Sequence, residues 1–212
     1  MWKPAALSLA LVACPAGLAA HPHIFVDATV TLELDDQHRI TGVEVTWVYD
    51  DFFTLLILED MGLDADADGV LSDAELGQLR GFDLEEWPEG FEGDLYLSQG
   101  EEKAAIGLPE ATGIAVEDGK IVASHRREVD PFPADGTLLE AYDPTFYVAY
   151  ELRGVRLPEA CRAPVQQADP EAADARVAEM VEDDSLTERS FETLEIGHLY
   201  ADRALISCAG SS

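Results

Sequence analysis

Apolar and polar residues alternate along the chain soon after residue 20. Every second residue from Ile24 to Leu34 is apolar, and the same alternation returns from Val43 to Tyr49. A period of two is typical of a strand with one buried face. Because a polar turn at residues 35–38 separates the two runs, residues 23–50 are predicted to form a β-hairpin.

The rest of the chain predicts shorter strands and one further helix. Turns are indicated by Asp118-Gly119, Asp135-Gly136 and Asp143-Pro144. Strands are predicted at residues 94–98, 114–116, 120–124, 138–142, 146–152 and 204–208. Residues 170–182 are predicted to be helical, and the polar residues 163–171 a mobile loop. The expected class is α+β, mainly antiparallel sheet, in a single domain over residues 21–212.

Two apolar segments flank an acidic stretch. Residues 52–58 include six large apolar residues, which predicts a largely buried helix entering the stretch. Leu76 and Leu79 lie on one side of a predicted exiting helix. A helix, an acidic loop and a helix in this order predict an EF-hand insertion over residues 51–81.

The acidic loop has an oxygen ligand wherever a calcium-binding EF-hand requires one. Asp64, Asp66 and Asp68 stand at positions 1, 3 and 5, and Gly69 supplies the sharp turn at position 6. The remaining ligands are the Val70 carbonyl at position 7, Ser72 at position 9 and Glu75 at position 12. Calcium takes six to eight oxygen ligands, so the loop is predicted to bind calcium.

A simpler interpretation of the same residues requires no metal. Ser72 and Glu75 have the spacing of a capping box at a helix start, and the three aspartates would then form a solvated turn. The two interpretations are compatible, so the capping box does not argue against calcium.

The first twenty residues have the build of a secretory signal peptide. Lys3 precedes an apolar stretch over residues 5–13, too short to span a membrane, and small residues continue to Ala20. Cleavage after Ala20 would make His21 the amino terminus, and cleavage one residue earlier is the alternative. A rival interpretation is a lipoprotein acylated at Cys14. Either way the mature chain is expected in the periplasm or outside the cell, without inserting into the membrane itself.

Cys161 and Cys208 remain once Cys14 is removed or acylated. An even pair in an exported chain predicts a disulfide, which would stabilise the fold by about 4 kcal/mol through the entropy of the unfolded chain. The competing interpretation is a two-cysteine metal site. However, neither residue has a histidine or cysteine partner at the short spacing of such sites.

Charge narrows the choice of partners. The chain has 212 residues, enough for one domain with its own core, and its 43 acidic and 13 basic residues give a formal net charge of -30. This charge repels nucleic acid and anionic lipid and attracts cations. No nucleic-acid partner is therefore expected.

His21 and His23 form a second candidate metal site. Imidazole nitrogens suit zinc and nickel, and a free α-amine at His21 would add a third nitrogen. Pro22 has no amide proton, so chelation would rely on side chains and the terminal amine. The alternative is a frayed, solvated terminus. The scattered histidines, expected to be surface or hydrogen-bonded residues, are His38, His125 and His198.

Four segments together resemble a known family. They are residues 21–26, the helical segment with its acidic loop, residues 142–148 and residues 201–208. They resemble a family of secreted bacterial proteins catalogued as a domain of unknown function and labelled as periplasmic components of a transport system. The resemblance implies partnership with a nickel/cobalt-type membrane permease and a role in handling zinc or nickel, with His21 and His23 as ligands.

Three functions are compatible with these patterns. The expected one is a periplasmic accessory protein that binds calcium and passes zinc or nickel to a permease. The second is a calcium-stabilised secreted structural or interaction module with no transition-metal role. The third, a copper enzyme using His21, is disfavoured because Gly-x-Ser-x-Gly and His-Glu-x-x-His patterns are absent. We therefore expect no catalytic residues and no enzymatic activity.

Overall fold

A computed structural model describes residues 22–84, 87, 91–182 and 194–209. The predicted signal peptide, including Cys14, and the first candidate ligand of the terminal site, His21, lie outside these ranges. The chain is mixed α and β with mostly sheet, as the alternating patterns predicted.

The predicted hairpin is confirmed and begins the larger sheet. β1 (Ile24–Leu34) and β2 (Arg39–Tyr49) pair antiparallel. The Asp35 carboxylate organises the turn by accepting hydrogen bonds from the N–H groups of Gln37 and Arg39, each at 2.9 Å. The buried residues of the hairpin are the alternating apolar ones that the pattern selected, among them Val26, Val30, Val43 and Val45.

Three more strands complete this sheet in the order β5-β6-β2-β1-β8. β5 (Ile106–Glu117) and β6 (Lys120–Pro133) form a second long hairpin, and β8 (Val148–Arg156) pairs parallel to β1. β5 and β6 are far longer than the predicted strands, and β8 begins two residues later than predicted. The parallel pair adds one exception to the expected antiparallel arrangement.

A second sheet has the order β10-β11-β7-β3-β4. Its strands are β3 (Leu95–Gln99), β4 (Glu102–Lys103), β7 (Leu138–Ala141), β10 (Val165–Gln166) and β11 (Asp202–Leu205). β10 lies inside residues 163–171, which were predicted to form a loop, and the mobility of this segment stays a prediction. Apolar side chains of both sheets form one shared core, which includes Val30, Ile40, Leu97 and Leu139.

The predicted disulfide is confirmed between Cys161 and Cys208. These residues face each other in a small sheet of β9 (Cys161–Arg162) and β12 (Ser207–Cys208), with a sequence separation of 47. The bridge excludes the two-cysteine metal site.

Three α-helices and one short 3-10 helix (Gly197–Leu199) complete the described chain. α1 (Asp51–Met61) follows β2 directly, and α2 (Asp73–Leu79) precedes the second sheet. α3 (Pro170–Glu182) has the predicted bounds. In the part of the chain that the structure describes, every helix is too short or too polar to cross a membrane.

Candidate metal centre

Local capping sets the ends of the two helices that flank the acidic loop. The Asp50 carboxylate accepts a hydrogen bond from the Phe53 N–H at 2.8 Å, and Gly62 ends α1 with a left-handed φ of 64°. Ser72 caps α2. Since polar caps satisfy backbone groups that a helix end leaves unpaired, the sequence itself fixes where the loop starts and stops.

Buried contacts hold these helices against the first sheet. The Thr54 hydroxyl, 1% exposed, accepts a hydrogen bond from the Ile121 N–H at 3.0 Å. The rings of Tyr49, Phe53 and Phe82 lie with centroids 5.0 to 6.5 Å apart. The chain on both sides of the loop is therefore packed against the first sheet, through α1 before the loop and through the segment after α2.

The prediction that the entering helix is largely buried was wrong. Phe52, Leu55 and Leu56 are 74%, 65% and 50% exposed, while Thr54 and Leu58 are buried. Residues 52–58 are apolar on nearly all sides, so their pattern could not select one buried face.

The three aspartates of the loop lie together. One carboxylate oxygen from each of Asp64, Asp66 and Asp68 falls within 4.8 Å of the others, close enough to hold one metal ion. Gly69 has a left-handed φ of 76°, the backbone form expected at the sharp turn. The Asp64 carboxylate accepts hydrogen bonds from the N–H groups of Asp68 at 3.0 Å and Gly69 at 3.2 Å. The loop backbone thus folds around its first carboxylate.

Glu75 closes the loop without joining this group of carboxylates. One of its oxygens accepts the Asp64 N–H at 3.1 Å, and the other accepts the N–H and hydroxyl of Ser72 at 2.8 and 2.7 Å. The hydrogen bond from the Ser72 hydroxyl contributes most to lowering the pKa of the Glu75 carboxyl. The predicted capping box is confirmed, and it links the first and last ligand positions.

The apolar positions of the loop differ in burial. Leu71 packs against the core, whereas the Val70 side chain is 70% exposed. A carbonyl ligand needs no buried side chain, so the exposure of Val70 is compatible with its predicted role.

His23 is exposed at the start of the described chain, and it does not lie in a group of three or more metal-ligating side chains within the described ranges. Its backbone N–H donates to the Tyr147 carbonyl at 2.9 Å, and its ring lies 4.8 Å from that of Tyr147. The backbone of the terminal segment is therefore fixed from this residue onward. The pairing with His21 is untested, because His21 falls outside the described residues.

Comparison with protein families identifies the chain. The family described as "Protein of unknown function (DUF1007)" matches residues 6–208. The chain belongs to the DUF1007 family. Curated protein sequences contain no match to it. Among solved structures, Biomphalaria glabrata acetylcholine-binding protein type 1 has a TM-score of 0.32 and 12% identity, over 89% of this chain and 87% of that one. A likeness this distant carries no argument about ligand or function.

The DUF1007 chain also contains buried ionisable groups that the sequence did not reveal. Asp94 is 6% exposed, and its carboxylate accepts a hydrogen bond from the Tyr150 hydroxyl at 2.9 Å. Burial, followed by repulsion from Asp143, raises the pKa of Asp94 to about 7. A lone Asp after Gly93 is typical of a turn, and no sequence signal distinguished it from the many exposed carboxylates.

His125 corrects a second expectation for this DUF1007 chain. Its side chain is 1% exposed, and its ring lies 4.7 Å from that of Trp47. Within the described residues neither ring nitrogen has a hydrogen-bond partner, so His125 is not the surface or hydrogen-bonded residue that was expected. Burial lowers its pKa to about 4, with Arg127 adding a smaller effect, and keeps it neutral at physiological pH.

Proposed function

We propose that this DUF1007 protein is a periplasmic accessory protein that binds calcium in the loop from Asp64 to Glu75 and delivers zinc or nickel to a membrane permease. The observation that carries the calcium part is the convergence of three aspartate carboxylates within 4.8 Å in a loop with a left-handed glycine. Hard oxygen ligands in a flexible loop suit calcium better than they suit zinc or nickel.

The donor set fits calcium, subject to competition from the capping box. Three aspartates, the Val70 carbonyl, Ser72 and both oxygens of Glu75 would together supply the six to eight ligands that calcium takes. Glu75, however, is held by three donors from Ser72 and Asp64. Calcium must compete with them, so we infer a dissociation constant of about 0.1 to 1 mM, the range of extracellular modules.

The transition-metal part rests on His21 and His23. Removal of residues 1–20 would leave two imidazoles and an α-amine within three residues. The hydrogen bond from the His23 N–H to Tyr147 supports a fixed terminus rather than a frayed one. A fixed backbone lowers the entropy that a metal must overcome when it orders its ligands.

Calorimetric titration of zinc and nickel into calcium-saturated protein beginning at His21 tests this part. His21→Ala with His23→Ala should abolish tight transition-metal binding and leave calcium binding unchanged. The matched control is His38→Asn with His198→Ala, which removes two other imidazoles; asparagine is chosen at His38 because that residue has a φ of 55°. One extra residue before His21 should weaken binding if the terminal amine is a ligand. Equal affinity in the parent and the His21/His23 variant would exclude metal delivery from this terminus.

A second function, a calcium-stabilised structural or interaction module with no transition-metal role, needs only the three aspartates of the loop. Within the described residues, Asp64, Asp66 and Asp68 are the one group of three or more side chains placed to hold a metal. If zinc and nickel bind neither the parent nor the extended form while calcium still stabilises the protein, this second function is the correct one.

A further inference from the structure

The outward side of α1 carries large apolar side chains. Phe52, Leu55 and Leu56 are 74%, 65% and 50% exposed. Their spacing of three and four residues places them on one face over the first two helical turns. The backbone of Phe25, whose side chain is 55% exposed, lies beside the start of the helix, because its N–H donates to the Asp50 carboxylate at 2.8 Å and its carbonyl accepts the Asp50 N–H at 3.0 Å. We name Phe25, Phe52, Leu55 and Leu56 the α1 face.

Such a face is unusual on this protein. Single exposed apolar residues are normal, but contiguous apolar patches of more than a few hundred Å² are typical of interaction sites. With a formal net charge of -30, solubility alone would favour carboxylates here. Thr54 and Leu58 already anchor the buried side of α1, so the apolar residues of the α1 face are not needed to hold the helix in place.

Carboxylates stand at both ends of the α1 face. Asp51 begins the helix, Glu59 and Asp60 follow the apolar residues, and α1 contains no basic residue. Along the axis, residues 51 and 59 are about 12 Å apart at 1.5 Å per residue. Lys120 lies 3.7 Å from Asp51, so the negative field is stronger at the Glu59 and Asp60 end.

These charges discriminate between occupants. Helices that lie on lipid surfaces carry Lys and Arg beside their apolar face, the reverse of α1. A second copy of the chain would bring the same carboxylates against each other. Residues 85–90 and 183–193 of this chain together carry seven acidic residues and one arginine, so they would be repelled in the same way.

We propose that the α1 face docks an apolar helical segment of a partner protein that carries Lys or Arg at both ends, about 12 Å apart. If the proposed function is correct, that partner is the membrane permease that receives the metal. An apolar segment with complementary end charges gains burial from the exposed side chains of the α1 face and register from the carboxylates.

Fluorescence anisotropy tests the docking with a defined probe. The probe is a labelled peptide with a central run of about eight leucines and alanines, which matches the 12 Å span, and two lysines at each end. A second peptide has glutamates in place of the lysines. Protein beginning at His21 is used, with calcium, at about 0.15 M salt, where charges beyond roughly 8 Å are screened.

The decisive variant is Phe52→Ser with Leu55→Ser and Leu56→Ser, which keeps every charge. The control, Leu108→Ser with Leu205→Ser, changes residues that are 75% and 57% exposed elsewhere. We expect the lysine peptide to bind at least tenfold more tightly than the glutamate peptide. The triple variant should lose at least tenfold in affinity, and the control should stay within about twofold. Because all these side chains are exposed, unchanged circular dichroism is expected for both variants.

Several outcomes would overturn the proposal. If the triple variant binds the lysine peptide as tightly as the parent does, net charge alone attracts the peptide. If the parent binds both peptides equally, the carboxylates at the ends of α1 do not select the partner. If neither peptide binds, two other results would assign the α1 face differently. Binding to neutral phosphatidylcholine vesicles that the triple variant loses would assign it to lipid. Self-association that the triple variant loses would assign it to a second copy of the chain. Zinc and nickel titrations of the parent and the triple variant separate the two proposals. Peptide binding without zinc or nickel binding would support docking and refute metal delivery. Zinc or nickel binding without peptide binding would refute docking alone.

Discussion

Asp66→Asn separates calcium binding from the packing of the loop. The carboxylates of Asp64 and Asp68 accept hydrogen bonds from loop N–H groups. Asp66 accepts none within the described residues, yet its carboxylate belongs to the same group of three. The substitution therefore replaces a charged oxygen ligand with a neutral one and does not remove a structural hydrogen bond.

The expected effect without calcium follows from repulsion. Carboxylates within 4.8 Å of each other repel by somewhat less than about 1 kcal/mol per pair in water, and physiological salt reduces this to roughly half. Asp66→Asn removes two of the three pairs. Since residues two apart also repel in the unfolded chain, the variant should be as stable as the parent or up to about 1 kcal/mol more stable.

Calcium should reverse the order. With a dissociation constant of about 0.1 to 1 mM, about 10 mM calcium stabilises the parent by roughly 1.4 to 2.7 kcal/mol. In a chain of this size that raises Tm by about 3 to 10 °C. A tenfold loss of affinity leaves Asp66→Asn with roughly 0.4 to 1.4 kcal/mol. The variant should thus be at least as stable as the parent in chelator and less stable in calcium.

Thermal unfolding followed by circular dichroism, in chelator and in calcium, measures both states. Asp60→Asn is the control, because it removes the same charge at the end of α1, outside the ligand positions. If calcium raises Tm of Asp66→Asn as much as that of the parent, the charge of Asp66 does not strengthen calcium binding and the reasoning is refuted. An equal loss of response in Asp60→Asn would show that only the general negative field was being screened.

Three further predictions concern the fold. Cys161→Ser with Cys208→Ser should lower the free energy of unfolding by about 4 kcal/mol for a 47-residue separation, measured by urea unfolding; a loss under about 1 kcal/mol would contradict the entropic account. Thr54→Val should cost about 1 to 3 kcal/mol in the same assay by leaving a buried β6 N–H without an acceptor, and Thr54→Ser, which keeps the hydroxyl, should cost clearly less. The pKa of Asp94 rises from 3.8 to about 7 on folding, so the stability that Asp94 contributes is lost as pH rises from about 4 to 7. The pKa of His125 falls from 6.5 to about 4 on folding, so the stability that His125 contributes is lost as pH falls from about 6.5 to 4. In the parent, the two effects should nearly cancel between about pH 4 and 6.5. Asp94→Asn leaves only the effect of His125 and should gain stability as pH rises, whereas His125→Phe leaves only that of Asp94 and should lose stability. Each change should be up to about 1.4 kcal/mol per pH unit.

The pH prediction has a clear contrary result. If both variants follow the pH profile of the parent within about 0.5 kcal/mol, the two buried groups do not titrate as their surroundings indicate.

Local sequence determined the elements that were predicted well. The β1–β2 hairpin needs only alternation and a turn, and Asp118-Gly119 adopts the left-handed pair of φ values, 51° and 78°, that such a dipeptide favours in a two-residue hairpin. The acidic loop is equally local, since its carboxylates converge within five residues. The cysteine pair could be predicted because only two cysteines lie beyond the predicted signal peptide.

Long-range packing decided the rest. β5 is longer than predicted because Gly107, Pro109 and Gly113 interrupt its alternation, and its register with β6 shifts near these residues. An edge strand tolerates proline and bulges that a central strand would not. The exposed side of α1 could not be predicted from an all-apolar helix, and the burial of Asp94 and His125 depends on side chains brought from separate strands.

The bridge between β9 and β12 encloses β10, α3 and β11 within one covalent ring. A single protease cut between Cys161 and Cys208 would therefore leave two fragments that remain joined. On a gel run without reductant, the clipped protein would keep the mobility of one chain, and reductant would release the piece that carries β11. A protein exported among proteases could thus be nicked in this region and still keep its last strands beside the core.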